Sequence, residues 1–170
     1  MDIDTRQYLL KAADIDSMEG ELITHFLNPN AIRFNKSLGQ ATGMSEMGVH
    51  MIYVEPGMDS TEYHKHLYEE ECIYIISGTG RLTIEGDDYE VAKGDFVGLP
   101  ANEVAHELFN DGKETLVCLV MGQRLPHDIA DYPNHKKRIY RYSLLGESNA
   151  EVVKHEDITY PKIHTAREEE

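Results

Sequence analysis

The sequence predicts a single-domain all-β sandwich or barrel, and three observations carry that expectation. Short runs rich in β-branched and aromatic residues recur through the middle of the chain. Turns built from Gly, Asp, Asn and Pro separate them at regular spacing, a pattern of antiparallel strands rather than of βαβ units. The chain has 170 residues, 41% of them hydrophobic, enough to bury one core without a second domain.

Residues 1–46 are mixed and weakly periodic, with acidic spots and the turn-like Asn28-Pro29-Asn30, and read as an arm wrapping the barrel. The barrel itself is expected over 47–122. Its first strand is Gly48 to Glu55. Next comes Glu71 to Ser77, because Glu71-Cys72-Ile73-Tyr74-Ile75-Ile76 is an apolar, β-branched run bounded by Ser77-Gly78. Arg81 to Glu85 and Asp88 to Val91 flank the hairpin turn at Glu85-Gly86-Asp87. Asp95 to Leu99 follows the turn Ala92-Lys93-Gly94-Asp95, Val104 to Phe109 ends at Asn110-Asp111-Gly112, and Thr115 to Met121 closes the set. Residues 123–170 form a polar C-terminal extension with the basic stretch Lys136-Lys137-Arg138. Fraying is expected at its end, Arg167-Glu168-Glu169-Glu170. No internal repeat is apparent.

Charge and cysteine usage exclude several classes. With 31 acidic against 16 basic residues the net charge is −15, which disfavours nucleic acid and anionic membranes as partners and favours solubility. An anionic substrate stays open, since a bound divalent ion dominates the field inside a pocket. There is no apolar run near 18 residues and no basic, apolar leader, so a cytoplasmic location is the expectation. Cys72 and Cys118 both lie in predicted strands and read as small buried thiols rather than a disulfide.

Four residues point to metal chemistry. His64 and His66 are two apart, so on a strand they face the same way. Glu71 begins the next predicted strand and His106 sits in the one that ends at Phe109. Three imidazoles and a carboxylate from three strands can meet around one ion. Glu70 is the alternative carboxylate; with Glu71 as the ligand, Glu69 and Glu70 fall on the preceding turn. The remaining histidines, His25 and His50 among them, match no ligand spacing and read as surface or hydrogen-bonded side chains.

At this point the sequence resembles the cupin superfamily. The first motif reads Gly57, six residues, His64-Lys65-His66, four residues, Glu71, six residues, Gly78, a spacing that favours Glu71 over Glu70. The second reads Gly94, five residues, Pro100-Ala101-Asn102, three residues, His106, three residues, Asn110. The turn before the histidines carries one residue more than the usual spacing. Asn102 stands where the motif has glycine, and three residues rather than two separate it from the histidine. Asparagine tolerates positive φ, so the turn is expected to survive. Ser37-Leu38-Gly39, Thr42-Gly43-Met44, Gly94-Asp95-Phe96 and Asp131-Tyr132-Pro133 extend the resemblance, to a large group of single-domain cupins, over about residues 30 to 140. The resemblance implies a small jelly-roll barrel, a double-stranded β-helix, with a metal site inside; it does not imply a reaction.

The ligands suit one divalent transition metal, Zn, Fe, Mn, Ni or Co. Four protein ligands leave two coordination places for water or a bidentate oxygen ligand such as an α-keto acid, a diol or an enediol. The expected function is therefore metal-dependent chemistry on a small oxygen-rich metabolite: isomerisation, decarboxylation, hydrolysis or dioxygenation. Tyr68, Glu70 and Tyr53 are the candidates for proton transfer. The alternative is a non-catalytic module that binds a small carbohydrate or carboxylate. Largely apolar walls are expected from Met51 to Tyr53, Leu116 to Met121 and Phe96 to Val97. Arg124, Asp128 and Tyr132 either close the mouth or, as is commoner, tether the extension. A homodimer is the default assembly, because a small jelly roll leaves sheet edges to cover.

Overall fold

The computed structural model describes residues 4–144 and 147–161, and the chain is an antiparallel β-barrel with short helices at its N-terminal end. A 3-10 turn at Thr5–Tyr8 and α1 (Ala12–Ser17) precede β1 (Glu21–His25) and β2 (Asn28–Ser37), after which α2 (Leu38–Ala41) leads into β3 (Met47–Val54). The motif region supplies β4 (Lys65–His66), β5 (Glu71–Ser77), β6 (Thr79–Ile84), β7 (Asp87–Ala92), β8 (Phe96–Leu99), β9 (His106–Phe109) and β10 (Leu116–Gln123). Beyond it lie β11 (His127–Tyr132), β12 (Lys137–Leu144) and β13 (Glu147–Lys154).

These strands form a six-stranded sheet ordered β1-β2-β3-β10-β5-β8, a four-stranded sheet β13-β12-β11-β4 and a three-stranded sheet β7-β6-β9. Every strand expected in the barrel is present, within two residues of its expected ends. The arm and the extension differ from their reading as a wrap and a tether. The arm adds two strands to the main sheet, and Asn28-Pro29-Asn30 begins β2 while Phe26 and Leu27 make the turn. Pro29 is tolerated because it lies at the start of β2, where His25 pairs with Asn28 and the register then shifts. The extension contributes β11, which pairs directly with the histidine strand, Ala130 opposite His66. The acidic end Arg167–Glu170, where fraying is expected, lies outside the described residues.

The core is a cluster of Ile52, Val54, Ile73, Ile75, Leu82, Leu108 and Leu116 with Val91, Val97, Leu99 and Cys118, drawn from the seven strands β3 and β5–β10. Burial of side chains of this size contributes about 1.5–3 kcal/mol each. Cys118 belongs to this core and Cys72 is half-buried; both are free thiols, and burial pushes the Cys118 pKa up to about 12. Among the described residues no helix is long and apolar enough to cross a membrane.

The motif's turn residues have structural reasons. Asn102 adopts φ 60°, and its amide donates to the His66 carbonyl at 2.7 Å, so the longer loop is pinned to the ligand strand. Gly78 has φ 85°, and a Cβ there would stand 2.9 Å from the Thr115 carbonyl oxygen. Asn110 is fully buried, donates to the carbonyls of Val54 and Glu114 at 2.7 and 2.9 Å, and accepts from the Gly112 amide at 3.0 Å. Replacing it by Ala orphans the buried Val54 carbonyl and removes the partner of the Glu114 carbonyl and of the Gly112 amide. We expect Asn110→Ala to lose about 2–4 kcal/mol of stability in urea unfolding, without a change in the denaturant slope.

In the extension, Asp131 accepts from Arg138 Nε at 3.2 Å and Nη2 at 3.1 Å, and from His155 Nε2 at 2.7 Å. Burial pushes the Asp131 carboxyl up, but these hydrogen bonds and charges outweigh it and hold it below the usual aspartate value of 3.8. A depressed carboxyl stabilises the fold above its unfolded pKa, and that contribution is lost as pH falls through the folded value. Asp131→Asn should therefore lower Tm at neutral pH, with the gap to wild type closing on acidification below about pH 4.

Candidate metal centre

His64 and His106 face each other across an isolated bridge, each amide donating to the other's carbonyl at 3.0 and 2.8 Å. Residues directly opposite in an antiparallel pair project to the same face, so the two rings stand side by side, centroids 4.7 Å apart. His66, two residues along, shares that face. Glu71 opens β5, held between Leu99 of β8 and Gly122 of β10.

The ligand atoms converge. His64 Nε2 and His66 Nε2 are 3.1 Å apart, and His106 Nε2 is 3.3 Å from Glu71 Oε2. One donor atom each of His64, His66 and Glu71 lies within 4.8 Å of the others. His106 joins this group through Glu71.

The donor set fits a divalent cation. His64 Nδ1 donates to the Glu62 carbonyl at 2.8 Å, and His66 Nδ1 donates to Asp128 Oδ2 at 2.6 Å. These bonds select the tautomers that turn both Nε2 lone pairs toward each other, an arrangement that needs a cation or a shared proton between them. Burial and the neighbouring charges of His106 and His66 bring the His64 pKa down to about 3, so its imidazole is neutral and ready to ligate. His66 differs: burial lowers it, but the Asp128 hydrogen bond and the charge of Glu71 prevail and raise it above 6.5. Burial pushes Glu71 up as well, yet the hydrogen bond from His106 and the nearby imidazoles hold it down to about 2. A carboxylate ionised at every working pH is a ligand that needs no deprotonation. His106 Nδ1 is buried without a partner among the described residues, so nothing on that side fixes its tautomer.

Three supporting side chains come from the extension. Asp128, 2% exposed, accepts from His66 and from the amides of Tyr68 and Glu69 at 3.2 and 3.3 Å. Tyr132 stacks on His64 with centroids 5.7 Å apart, and its hydroxyl lies 3.3 Å from His25 Nε2. Arg141 donates to Glu69, which also accepts from the Leu125 amide at 2.6 Å. His66, Glu69 and Asp128 form a second compact donor group, but their oxygens are already committed to these N–H donors. That group orients His66 rather than offering a second ion site. Asp128, Tyr132 and His25 bear no ligand spacing; the sequence predicts Asp128 and Tyr132 only as mouth-closing or tethering residues and predicts no strand at β11, so it does not foresee their places beside His66 and His64.

The centre opens onto a cavity of 710 Å³. Ile52 and Val120 supply part of the expected apolar wall and Ile73 adds to it, whereas Phe96 and Val97, expected there, are not among its lining residues; Arg33, His50 and Arg124 add polar surface. Of the proton-transfer candidates, Glu70 lines the cavity. Tyr68 is 48% exposed and packs edge-on against His127. Tyr53 projects from the other face of β3, where its ring meets Phe34 and its hydroxyl donates to Met51 Sδ.

Comparison with known proteins agrees with this architecture. Residues 50–122 match the cupin domain family. An uncharacterised protein of Methanocaldococcus jannaschii is 30% identical over 102 residues, 59% of this chain and 71% of that one. The crystal structure of a putative sugar phosphate isomerase from Acidithiobacillus ferrooxidans is 55% identical and superposes with a TM-score of 0.88, over 94% of this chain and 100% of that one. A sugar phosphate isomerase from Silicibacter pomeroyi, at 24% identity, has the same fold, with a TM-score of 0.75 over 87% of this chain and 95% of the other.

Proposed function

The chain belongs to the cupin superfamily, and from that premise we propose that it is a metal-dependent isomerase of a phosphorylated sugar. The observation that carries the reading is the convergence of His64 Nε2, His66 Nε2 and Glu71, with His106 beside them, on a cavity large enough for a small metabolite. The substrate class draws support from the 55% identical structure, which is named for such an activity.

When bound, a divalent ion supplies Lewis acidity to a chelated carbonyl and hydroxyl. The chain's own residues do the rest. His64, His66, Glu71 and His106 hold the ion; Asp128 and the Glu62 carbonyl aim the first two rings. We further infer that the working form is a homodimer in the cytoplasm. In support, β1 is an edge strand with exposed Leu22, followed by exposed Phe26 in the turn to β2, a surface that a second copy would cover.

The test is incubation of the protein, loaded in turn with Mn, Fe, Co, Ni and Zn, with five- and six-carbon aldose and ketose phosphates in D₂O, followed by NMR. The expected result is interconversion with deuterium entering at the carbon that exchanges, abolished by chelator and reduced about a hundredfold or more by Glu70→Gln. Saturable binding without interconversion would leave a carbohydrate-binding module in its place.

A further inference from the structure

The cavity holds two guanidinium groups that the metal chemistry does not use. Arg81, Arg138 and Arg141 each have a carboxylate partner, whereas Arg33 and Arg124 have none within 4.0 Å among the described residues. In a chain with about twice as many acidic as basic residues, two cavity cations without carboxylates are unexpected, because partly buried charges are normally paired. Arg33, on β2, donates through Nη1 to the Ser60 carbonyl at 2.5 Å, and its remaining N–H groups have no acceptor among the described residues. Arg124 follows β10, fixed by its amide to the Glu46 carbonyl at 2.9 Å, and its Nη2 lies 3.3 Å from His50 Nε2. With Nε2 accepting from Arg124, His50 carries its proton on Nδ1, which is buried and has no partner among the described residues.

A bare floor makes room for this cluster. Gly48 pairs with Gly122, and Gly122 pairs with Glu71. A Cβ on Gly48 would stand 3.1 Å from His50 Nε2 and 3.3 Å from Arg124 Nε, so any side chain there would crowd the guanidinium's seat. The two glycines leave an open path between the cluster and Glu71, a separation of two strand spacings, or about 10 Å.

We propose that Arg33, His50 and Arg124 form an anion-binding pole that holds the phosphate of the substrate while its other end reaches the His64–His66–Glu71 donors. The proposal deepens, and rests on, the reading of this cavity as a sugar phosphate site. Two unpaired guanidinium charges match a phosphate dianion better than a single carboxylate, and their planar forks suit its three oxygens. Glu70 and Glu71 face the same cavity, so the pole sits where an anion is drawn away from them, leaving the sugar's oxygens toward the donors.

The experiment is calorimetric titration of inorganic phosphate into chelator-stripped protein, with malonate as the carboxylate comparator. Saturable phosphate binding is expected, weakened about tenfold or more in Arg124→Gln and in Arg33→Gln, each checked for native circular dichroism, and unchanged in the surface control Lys93→Gln. Arg124→Lys, which keeps the charge and loses the fork, should fall between. Non-saturable binding, wild-type affinity in both Gln variants, or malonate binding as tightly as phosphate would overturn the pole. The titration uses neither metal nor turnover, so protein that binds phosphate through these arginines yet isomerises nothing would sink the isomerase reading alone.

Discussion

Glu71→Ala is expected to empty the metal centre. Protein purified without chelator should carry about one ion per chain, and the variant a tenth of that or less, by elemental analysis. Glu71 is the one anionic member of the set, ionised down to about pH 2, and it adjoins His106 Nε2 at 3.3 Å. Without it, neutral imidazoles alone face a dication, while the neighbouring carboxylates of Glu69 and Asp128 are committed to Arg141, to His66 and to backbone amides. The loss should exceed the roughly 10–100-fold that removal of an outer hydrogen-bond partner costs. A second readout separates metal loss from misfolding. Adding metal should raise the Tm of the wild-type protein, because an ion that binds only the folded state stabilises it, and should leave the Tm of Glu71→Ala unmoved. Full metal content in the variant would mean that another carboxylate is the ligand.

Asp128→Ala is expected to weaken metal binding about 10–100-fold while leaving every ligand in the chain. Its carboxylate is nearly inaccessible and makes the 2.6 Å bond that fixes the tautomer and plane of His66. The pH dependence identifies this role. In the wild-type protein Asp128 raises the pKa of His66, so protons compete with the ion as pH falls toward and below neutrality. In Asp128→Ala the largest influence that raises His66 is gone, leaving the charges of Glu71 and Glu69 to oppose burial, and its pKa falls. The acid limb of metal binding should therefore move to lower pH even as the affinity at its plateau falls. Asp128→Asn, whose amide oxygen still accepts from Nδ1, should recover much of the affinity with little of the upward shift in pKa. A uniform loss at all pH values in both variants would indicate a merely structural role.

How much of this could be read from the chain depends on how local each signal is. The barrel strands 71–77, 79–84 and 116–123 announce themselves by β-branched apolar runs between turn residues, a pattern set by burial on a sheet face. β1, β2 and β11–β13 do not. Their residues are half-exposed, with Asn28-Pro29-Asn30 at the head of β2 and charged side chains throughout β12, and only pairing with β3 and β4 makes them strands. Positive φ at Asn102 was legible because it depends on that residue's own backbone.

By itself the sequence determined the fold class and proposed the four donors: strand alternation placed His64 beside His66, while Glu71 and His106 lie on other strands and were drawn in by the strand runs they head and by the cupin-like motifs. Tertiary structure alone decided what surrounds those donors. Asp128 under His66, Tyr132 on His64, and Arg33 with Arg124 across the cavity are meetings of residues 62, 68 and 91 positions apart along the chain. No periodicity in the sequence records such meetings, because they are set by which strands pair and in what register, and that is an outcome of packing the whole core.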